Sequence, residues 1–432
     1  MKLGVFFIGN PQSGGLYQYS LAILDSLKNR SDKVVIFNLS GASFPYENYK
    51  DSFKVSNSLR LMSLLKQFST NIRPKPRPDK GTQAAGNVEE TAVNKQSHTM
   101  KGLDKLLNRV DIFILRLLVK MNRINLLIIT APSELSFQLG TPYIMPVHDL
   151  QHRLNPQFPE VSADDIWEER EYLYSNAIPK AEAILVDSEI GKEDVLNFYP
   201  ADSGNVKVLP FTPPNYLPAD YTEAEYYEIR RKYHLPQKFL FYPANFWPHK
   251  NHKLIVQALN HIKTNHSLRI PAVFVGSRQL KYNEFDKVWK LANTYELESQ
   301  LQYLGYVPDG DMGCLYKLAE ALVMPTFFGP TNIPYLEAFA MGCPVIGSDI
   351  RGVREQVSDA GLLVDPNSPE ALAAAILGIW NEAGLRETLI ARGHDKTKLW
   401  GFERFSGILN KLVDEIGERL VARSRFYKGN AS

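Results

Sequence analysis

The sequence lacks the features that mark disulfide-rich, membrane-spanning and nucleic-acid-binding proteins. Only two of its 432 residues are cysteines, which excludes the disulfide framework of small secreted domains and fits a reducing compartment. No run reaches the roughly 20 apolar residues of a membrane span, and the N-terminal apolar run, which breaks at Gly9, is too short for a signal peptide. The 49 Lys and Arg nearly balance the 47 Asp and Glu, so no strong positive field recruits nucleic acid. We therefore expect a cytoplasmic protein with no nucleic-acid partner.

Continuous apolar runs alternate with helical patterns along the chain. Such runs, which do not alternate with polar residues, indicate parallel strands buried on both faces of a sheet. The chain is also too long for one comfortable core, so the pattern predicts two doubly wound α/β domains. The runs are 3–8, 33–39, 125–130, 142–148 and 183–188 in a first series, and 239–244, 272–277, 302–306, 321–326, 344–349 and 361–366 in a second.

Proline placement predicts the boundary between the two domains. Four prolines occur within 208–220, where they oppose regular structure. The predicted organisation is a first domain at 1–207, a linker at 208–222, a second domain at 223–400 and a terminal helical segment at 401–432. Within the first domain, the polar stretch 68–100 cannot bury enough apolar surface to order itself, and we interpret it as a mobile insertion.

The segment 102–124 has a strongly apolar helical face with interspersed basic residues. This pattern is typical of a helix in the core of the first domain. It is also typical of an interfacial helix that directs Lys and Arg towards lipid headgroups. Both interpretations remain open at the level of the sequence, and the second predicts peripheral contact with the inner face of a membrane.

The most informative segment is 321–349, which has the pattern of a strand, a Gly-Pro-Thr-Asn loop, a short helix and a second strand. Pro334 suits the first turn of the helix, and Gly342 suits a left-handed residue at its end. The predicted helix places Glu337 in its first turn. A helix that begins beyond the carboxyl end of a parallel strand can bind a phosphate group. The segment is equally compatible with an ordinary connection in which Glu337 only offsets the helix dipole.

Two other loops between a strand and a helix are candidate ligand sites. Gly14 and Gly15 follow the first strand, where glycine lets the backbone approach a ligand, although a tight turn explains them equally well and the dinucleotide pattern GxGxxG is absent. Lys250 lies near a predicted helix start, where its ammonium can meet a pyrophosphate. A solvated lysine is the alternative at that position.

The run HDLQH, which contains His148 and His152, is superficially similar to the HExxH zinc motif. That motif requires both histidines on one helix and a glutamate between them, whereas Pro146 opposes a helix here and aspartate replaces the glutamate. We expect no zinc site. A buried, hydrogen-bonded histidine is an alternative role for either residue.

The run LEAFAMGCPVI, which includes Glu337, resembles the donor-site signature of the family 4 retaining glycosyltransferases. Those enzymes have the GT-B fold, in which two Rossmann-like, doubly wound parallel-sheet domains face each other across a cleft. In the family this glutamate is the second of a pair, and the first lies eight residues earlier, but Gly329 occupies that place in this chain. The resemblance continues through 301–326 and 352–376 and is looser towards the N-terminus.

The resemblance implies roles for individual residues. It places Gly14 and Gly15 at the cleft, His148 beside the transferred sugar and the acceptor, and Lys250 on the diphosphate of the donor. The family has an arginine five residues before that lysine, where this chain has Asn245, so part of the positive charge must come from elsewhere. The remaining donor contacts that the resemblance implies are the amides of Thr331, Asn332 and Ile333 and, for the ribose, the carboxylate of Glu337.

The implied activity is transfer of a sugar, with retention, from a nucleotide-diphosphate sugar to a glycan or lipid-linked glycan acceptor. No cluster of carboxylates suggests a metal site, so neither a metal nor another cofactor is expected. Because of Gly329 and Asn245, a non-catalytic sugar-nucleotide-binding subunit of a glycan assembly complex is an alternative. A GT-B nucleotide-sugar epimerase, which needs no acceptor, is another.

Overall fold

A computed structural model describes residues 1–9, 14–40, 44–56, 109–218, 220–278 and 281–429. Within these residues two β-sheets are present, and every strand pair in them is parallel, as the continuous apolar runs predict. The predicted mobile insertion at 68–100 lies outside the described residues, as does the part of 102–124 before residue 109.

The first sheet has seven strands, which are β1 (Lys2–Phe7), β2 (Lys33–Asn38), β3 (Lys54–Ser56), β4 (Leu126–Ile129), β5 (Tyr143–Pro146), β6 (Ala183–Val186) and β7 (Val206–Val208). The second has six, which are β8 (Leu240–Pro243), β9 (Ala272–Val275), β10 (Leu301–Tyr303), β11 (Ala321–Met324), β12 (Val345–Ser348) and β13 (Gly361–Val364). Their orders are β3-β2-β1-β4-β5-β6-β7 and β10-β9-β8-β11-β12-β13. The order reverses direction between β1 and β4 and between β8 and β11. In open α/β sheets, ligands bind beyond the carboxyl ends of strands at such points.

Helices connect the strands of the first sheet. They are α1 (Gly15–Leu27), α2 (helical over 109–121), α3 (Leu135–Gln138), α4 (Gln151–Leu154), α5 (Pro159–Ser162), α6 (Ile166–Ala177) and α7 (Glu189–Phe198). The helices that follow are α8 (Glu223–Lys232), α9 (His252–His266), α10 (Glu284–Thr294), α11 (Asp309–Leu318), α12 (Ile333–Ala340), α13 (Arg351–Val357), α14 (Pro369–Asn381), α15 (Ala383–Leu399) and α16 (Phe402–Gly429).

The strands of the first sheet are buried on both faces because successive side chains point to opposite sides. Val5 and Phe7 of β1 join one apolar cluster, which includes residues of α1 and α16. Phe6 joins the opposite cluster, which includes residues of α2 and α6. The last helix, α16, therefore packs against the first sheet although it follows the second in the chain.

Removing an apolar side chain of α16 from this interface is expected to destabilise the protein. Leu409 is fully buried there, and Leu409→Ala should lower the free energy of unfolding by about 2–5 kcal/mol in a urea titration. Val421 lies on the same helix and is 51% exposed, so Val421→Ala should change it by less than about 0.5 kcal/mol. Equal effects of the two substitutions would contradict the packing of α16 on the first sheet.

Candidate functional site

Three loops meet between the two sheets, and each follows a strand at a point where the strand order reverses. They join β1 to α1, β8 to α9 and β11 to α12. The first and third loops touch, because a Cβ atom on Gly15 would lie only 2.9 Å from Cδ1 of Ile333. Gly14 has a φ of 55°, a conformation that glycine adopts most readily. The structure thus brings the predicted glycine pair against the start of α12.

The second and third loops are joined by hydrogen bonds. The carbonyl of His249 accepts from the Phe327 amide at 2.8 Å and from the Thr326 hydroxyl at 3.1 Å. The His249 ring also stacks on Phe328 with 4.1 Å between ring centroids. Lys250, which follows His249, is therefore held beside the loop that leads into α12.

Lys250 ends the 3₁₀ turn Pro248–Lys250 and is half-buried. Its ammonium has no ion-pair or hydrogen-bond partner among the described residues, although buried ammonium groups are normally paired. Burial lowers the pKa of Lys250 to about 8, while the nearby carboxylate of Glu160 acts in the opposite direction. Glu160 itself accepts hydrogen bonds from the backbone amide and Nδ1 of His249, at 2.8 and 2.7 Å. The site therefore holds a cation that lacks a counter-ion of its own.

The start of α12 presents several donors without acceptors. The Thr331 hydroxyl lies beside the buried carboxylate of Asp187, and Nδ2 of Asn332 is buried without a hydrogen-bond partner among the described residues. The backbone amides of Thr331 and Ile333 also have no hydrogen-bond acceptor among the described residues. The backbone amide of Asn332, which was predicted to bind the nucleotide-sugar, is not free. It donates to Oε1 of Gln356 at 2.8 Å, and Nε2 of Gln356 donates back to the Asn332 carbonyl at 2.9 Å.

Gly329 occupies a position that a side chain cannot easily enter. Its φ is 138°, and a Cβ atom would lie 2.9 Å from Nδ2 and 3.1 Å from Oδ1 of Asn332. Both the backbone conformation and the close contact therefore disfavour any other residue. The Asn332 carboxamide fills the space beside the position where the resembled family carries its first glutamate.

Glu337 lies deeper in the fold than its sequence position suggested. Helix α12 begins at Ile333 and has no acidic residue in its first turn, so the prediction of Glu337 in that turn is wrong by one residue, and Glu337 begins the second turn. Its side chain is buried and accepts hydrogen bonds from the hydroxyls of Tyr216 and Tyr316, the latter at 2.5 Å. Burial raises the pKa of Glu337, and the two tyrosine hydroxyls oppose this shift. Glu337 is therefore an organised interior group and not a surface residue that offsets the dipole.

His148 follows β5 and packs against Tyr19, with 4.9 Å between ring centroids. Its Nδ1 lies 3.4 Å from Oδ1 of Asp187, while its Nε2 is buried without a partner among the described residues. Burial raises the pKa of Asp187, and His148 opposes that rise. His152 is fully buried, and its Nε2 lies 2.8 Å from Glu171. Because His148 precedes α4, the two histidines do not share a helix face.

Asn245 and the loop after β9 form the remaining edge of the site. The Oδ1 atom of Asn245 accepts from the Ser277 amide at 2.7 Å, which leaves its Nδ2 as the available donor. Arg278 follows, and its guanidinium lies over the rings of Phe285 and Tyr303 at 5.5 and 5.8 Å. It pairs with no carboxylate among the described residues, so a second unpaired cation lies beside Asn245.

Sequence reasoning did not find Tyr216, Tyr316, Gln356, Asp187 or Arg278. Tyr216 is 121 residues from Glu337, and Gln356 is 24 residues from Asn332, so no local spacing signals these contacts. Arg278 offers a weak signal only, as a cation directly after an apolar strand. No group of three or more metal-binding side chains occurs in the described part of the chain.

Replacing Lys250 by methionine is expected to stabilise the ligand-free protein. The lowered pKa means that the folded protein holds the charged lysine less well than the unfolded chain does, so the penalty is complete below about pH 8 and fades between there and the normal lysine pKa. At pH 7, Lys250→Met should raise the melting temperature by about 1–3 °C, and the gain should shrink above pH 8. Lys253→Met removes an ion pair with Glu284 instead and should give no gain. An unchanged or lower melting temperature for Lys250→Met would contradict the unpaired state of the ammonium.

The chain resembles known glycosyltransferases in sequence. Residues 226–396 match the family model described as "Glycosyl transferases group 1". The O-antigen chain mannosyltransferase B of Escherichia coli is 32% identical over 230 residues, which are 52% of this chain and 59% of that protein. The serotype-specific mannosyltransferase WbdA of Escherichia coli is 24% identical over 251 residues, which are 56% of this chain and 29% of that protein. The chain thus spans less than two thirds of these relatives.

The fold of the chain is similar to that of solved structures. Sucrose-phosphate synthase from Thermosynechococcus elongatus superposes with a TM-score of 0.68 at 17% identity, over 97% of this chain and 100% of that chain. Anabaena Alr3699/HepE in complex with UDP-glucose also gives 0.68, at 13% identity, over 96% of this chain and 100% of that chain. The predicted fold class is confirmed: the chain has the GT-B fold, and its residues 226–396 match the glycosyl transferases group 1 model.

Proposed function

We propose that the protein is a retaining glycosyltransferase, which moves a sugar from a nucleotide-diphosphate sugar to a glycan or lipid-linked glycan acceptor. The observation that carries the proposal is the half-buried ammonium of Lys250, which has no counter-ion among the described residues and lies beside the start of α12. One relative is named as an O-antigen chain mannosyltransferase, which supports a glycan acceptor. Retention is proposed from the resemblance to the family 4 enzymes.

The chemical demand of this reaction is the negative charge that develops on the departing diphosphate. Preorganised donors and cations in a water-poor site stabilise such charge most effectively. Lys250 supplies one cation, and the free amides of Thr331 and Ile333 supply donors at the positive end of α12. Asn245 donates through Nδ2, and Arg278 is the candidate for the charge that an arginine supplies in the resembled family. Because these groups come from the chain itself, we propose a reaction without a metal or other cofactor.

The donor sugar is held by a different residue from the usual glutamate. The loop at Gly329 leaves no room for that side chain, and the Asn332 carboxamide occupies the adjacent space with its Nδ2 unpaired. We assign Asn332 to hydrogen bonding with the donor sugar, with the Thr331 hydroxyl beside it. His148, whose Nε2 is also unpaired, is assigned to the transferred sugar and the acceptor hydroxyl. Asp187 holds the orientation of that ring through Nδ1.

Glu337 is assigned to the ribose hydroxyls of the donor. In the ligand-free protein, its carboxylate already accepts from Tyr216 and Tyr316, and each carboxylate oxygen can accept a further hydrogen bond. Tyr216 belongs to the segment between the two sheets, so a ribose at Glu337 would share or replace a contact made by that segment. Ribose binding would then be coupled to the position of the linker.

The catalytic assignment is tested by removing the two charged groups. Lys250→Ala and Glu337→Ala should each lower the transfer rate at least about tenfold, because each removes a contact to the departing nucleotide diphosphate. The donor is first chosen from UDP, GDP, dTDP and ADP sugars by thermal shift, since saturation at 100 times the dissociation constant stabilises by about 2.7 kcal/mol. Lys253→Ala, close to the same loop, is the control and should keep its rate. Unchanged turnover in both site variants would defeat the assignment, and binding without any turnover would favour the non-catalytic alternative.

Helix α2 suggests where the protein meets a lipid-linked acceptor. Two of its residues, Leu115 and Val119, are buried in the core, which agrees with one of the two interpretations of 102–124. Four other apolar residues, which we call the α2 stripe, are exposed at helical spacing on one face. They are Val110 (43% exposed), Phe113 (67%), Leu117 (48%) and Met121 (69%).

Basic residues border the α2 stripe. Arg109 and Lys120 are exposed along the adjacent edge of the helix, and Arg123 is exposed just after its end, an arrangement that suits an anionic lipid surface. We propose that the stripe contacts the anionic face of a membrane without crossing it. Among the described residues, no helix combines the length and the apolar character that a membrane span needs.

Vesicle binding tests the membrane contact. The protein should sediment with vesicles that contain phosphatidylglycerol and much less with vesicles of phosphatidylcholine alone. Phe113→Ser with Leu117→Ser should weaken binding at least about tenfold, because two apolar side chains no longer enter the interface. Tyr227→Ser changes an equally exposed aromatic residue on α8 and should have no effect. Binding that ignores either the anionic lipid or the α2 stripe would overturn the proposal.

A further inference from the structure

A pocket lies on the side of α1 that faces the segment between the two sheets. Its volume is about 400 Å³, within the range of about 300–1,000 Å³ that is typical of small-molecule sites. One face of α1, the turn 45–49 and the segment 211–216 form its walls, and Asp309 and Ile333 close it from the second domain. The pocket meets the donor site at Ile333, whereas Lys250, Asn245 and Glu337 do not line it.

The walls combine aromatic rings with fixed hydrogen-bonding groups. Tyr17, Tyr49 and Tyr216 line the pocket and offer apolar ring surfaces. The carboxylate of Asp25 accepts from the Tyr49 hydroxyl at 3.0 Å and from Nδ2 of Asn215 at 2.9 Å. A ligand with an apolar face and several hydroxyl groups would match both kinds of surface.

The charge of the pocket disfavours an anionic ligand. The ammonium of Lys28 forms an ion pair with Asp25 at 2.8 Å, so these two charges cancel. Asp309 accepts a hydrogen bond from the neutral side chain of Gln18 at 3.1 Å, which leaves the lining with one negative charge in excess. A phosphate group would be repelled, whereas the hydroxyl groups of a neutral sugar would donate to these carboxylates.

One buried polar atom in the pocket wall is left without a partner. Tyr19 lines the pocket and is only 2% exposed, yet its hydroxyl has no hydrogen-bond partner among the described residues. Buried hydroxyls normally have a hydrogen-bond partner, so the Tyr19 hydroxyl is available to hydrogen-bond a ligand in this pocket. The Tyr19 ring packs against His148, at 4.9 Å, and Tyr216 donates to Glu337. One residue of the pocket wall thus contacts His148, and another contacts Glu337.

We propose that this pocket binds a neutral pyranose unit of the acceptor glycan, next to the unit that receives the transferred sugar. The inference rests on the proposed function, because it names the chemistry of the acceptor. Tyrosine rings would stack on the apolar face of the pyranose, and Asp25, Asn215 and the Tyr19 hydroxyl would bond its hydroxyl groups. The acceptor is therefore recognised by an uncharged sugar and not through a phosphate in this pocket.

Saturation-transfer NMR with methyl α-mannopyranoside and an α-linked mannobiose tests this site directly. The sugars should give a signal with the unaltered protein, and a saturating nucleoside diphosphate should not abolish it. Asn215→Trp places a bulky group at the exposed rim of the pocket and should abolish the signal. Tyr46→Trp is the matched control, because Tyr46 is exposed on the turn 45–49, which forms another wall, and does not itself line the pocket. Asp25→Asn should weaken sugar binding about fivefold or more.

Any of the following results would overturn the inference: no sugar signal, an equal signal in Asn215→Trp, displacement of the sugar by nucleoside diphosphate, or preference for inorganic phosphate over sugar when both are present. Asn215→Trp should keep the thermal shift given by a nucleoside diphosphate, and loss of that shift would assign the pocket to the donor and also contradict the inference. A failure of the proposed function has a different signature, which is the absence of any nucleoside-diphosphate shift in the unaltered protein.

Discussion

An ammonium group without a counter-ion is the feature on which the account of this site depends. Lys250 is half-buried, and its pKa is lowered to about 8, so the protein tolerates a charge that the nearby Glu160 compensates only in part. Residues that destabilise a fold in this way are found where a ligand supplies the missing partner. The parallel sheets position this group, since β8 and β11 are neighbours and their carboxyl-end loops are joined through the carbonyl of His249.

In the loop around Gly329, the Asn332 side chain lies beside the position where the resembled family has a glutamate. The positive φ at Gly329 and the contact with the Asn332 carboxamide exclude a glutamate side chain from this conformation. Gln356 then fixes Asn332 through two hydrogen bonds to its backbone. The substitution therefore belongs to a connected arrangement and is not an isolated loss. Asn245 is also part of a connected arrangement, because its Oδ1 atom accepts a hydrogen bond from the loop that carries Arg278.

The sequence was sufficient to predict most of the fold and less of the site. The strands buried on both faces were predicted because their apolar runs are continuous, whereas β3 and β7 were missed because each is a short edge strand with a lysine and no continuous apolar run. The loops that carry Gly15, Lys250 and Thr331 were predicted because each follows a strand. The predicted turn for Glu337 was wrong by one residue, since α12 begins at Ile333. The tyrosine partners of Glu337 come from distant segments, and only the three-dimensional fold brings them together.

A crystal structure with a bound nucleoside diphosphate is the most direct test of the central claim. The account predicts that the diphosphate contacts Nζ of Lys250 and the amides of Thr331 and Ile333, with the ribose at Glu337. A diphosphate bound elsewhere, or one bound in the cleft while the Lys250 ammonium stays without a partner, would contradict it.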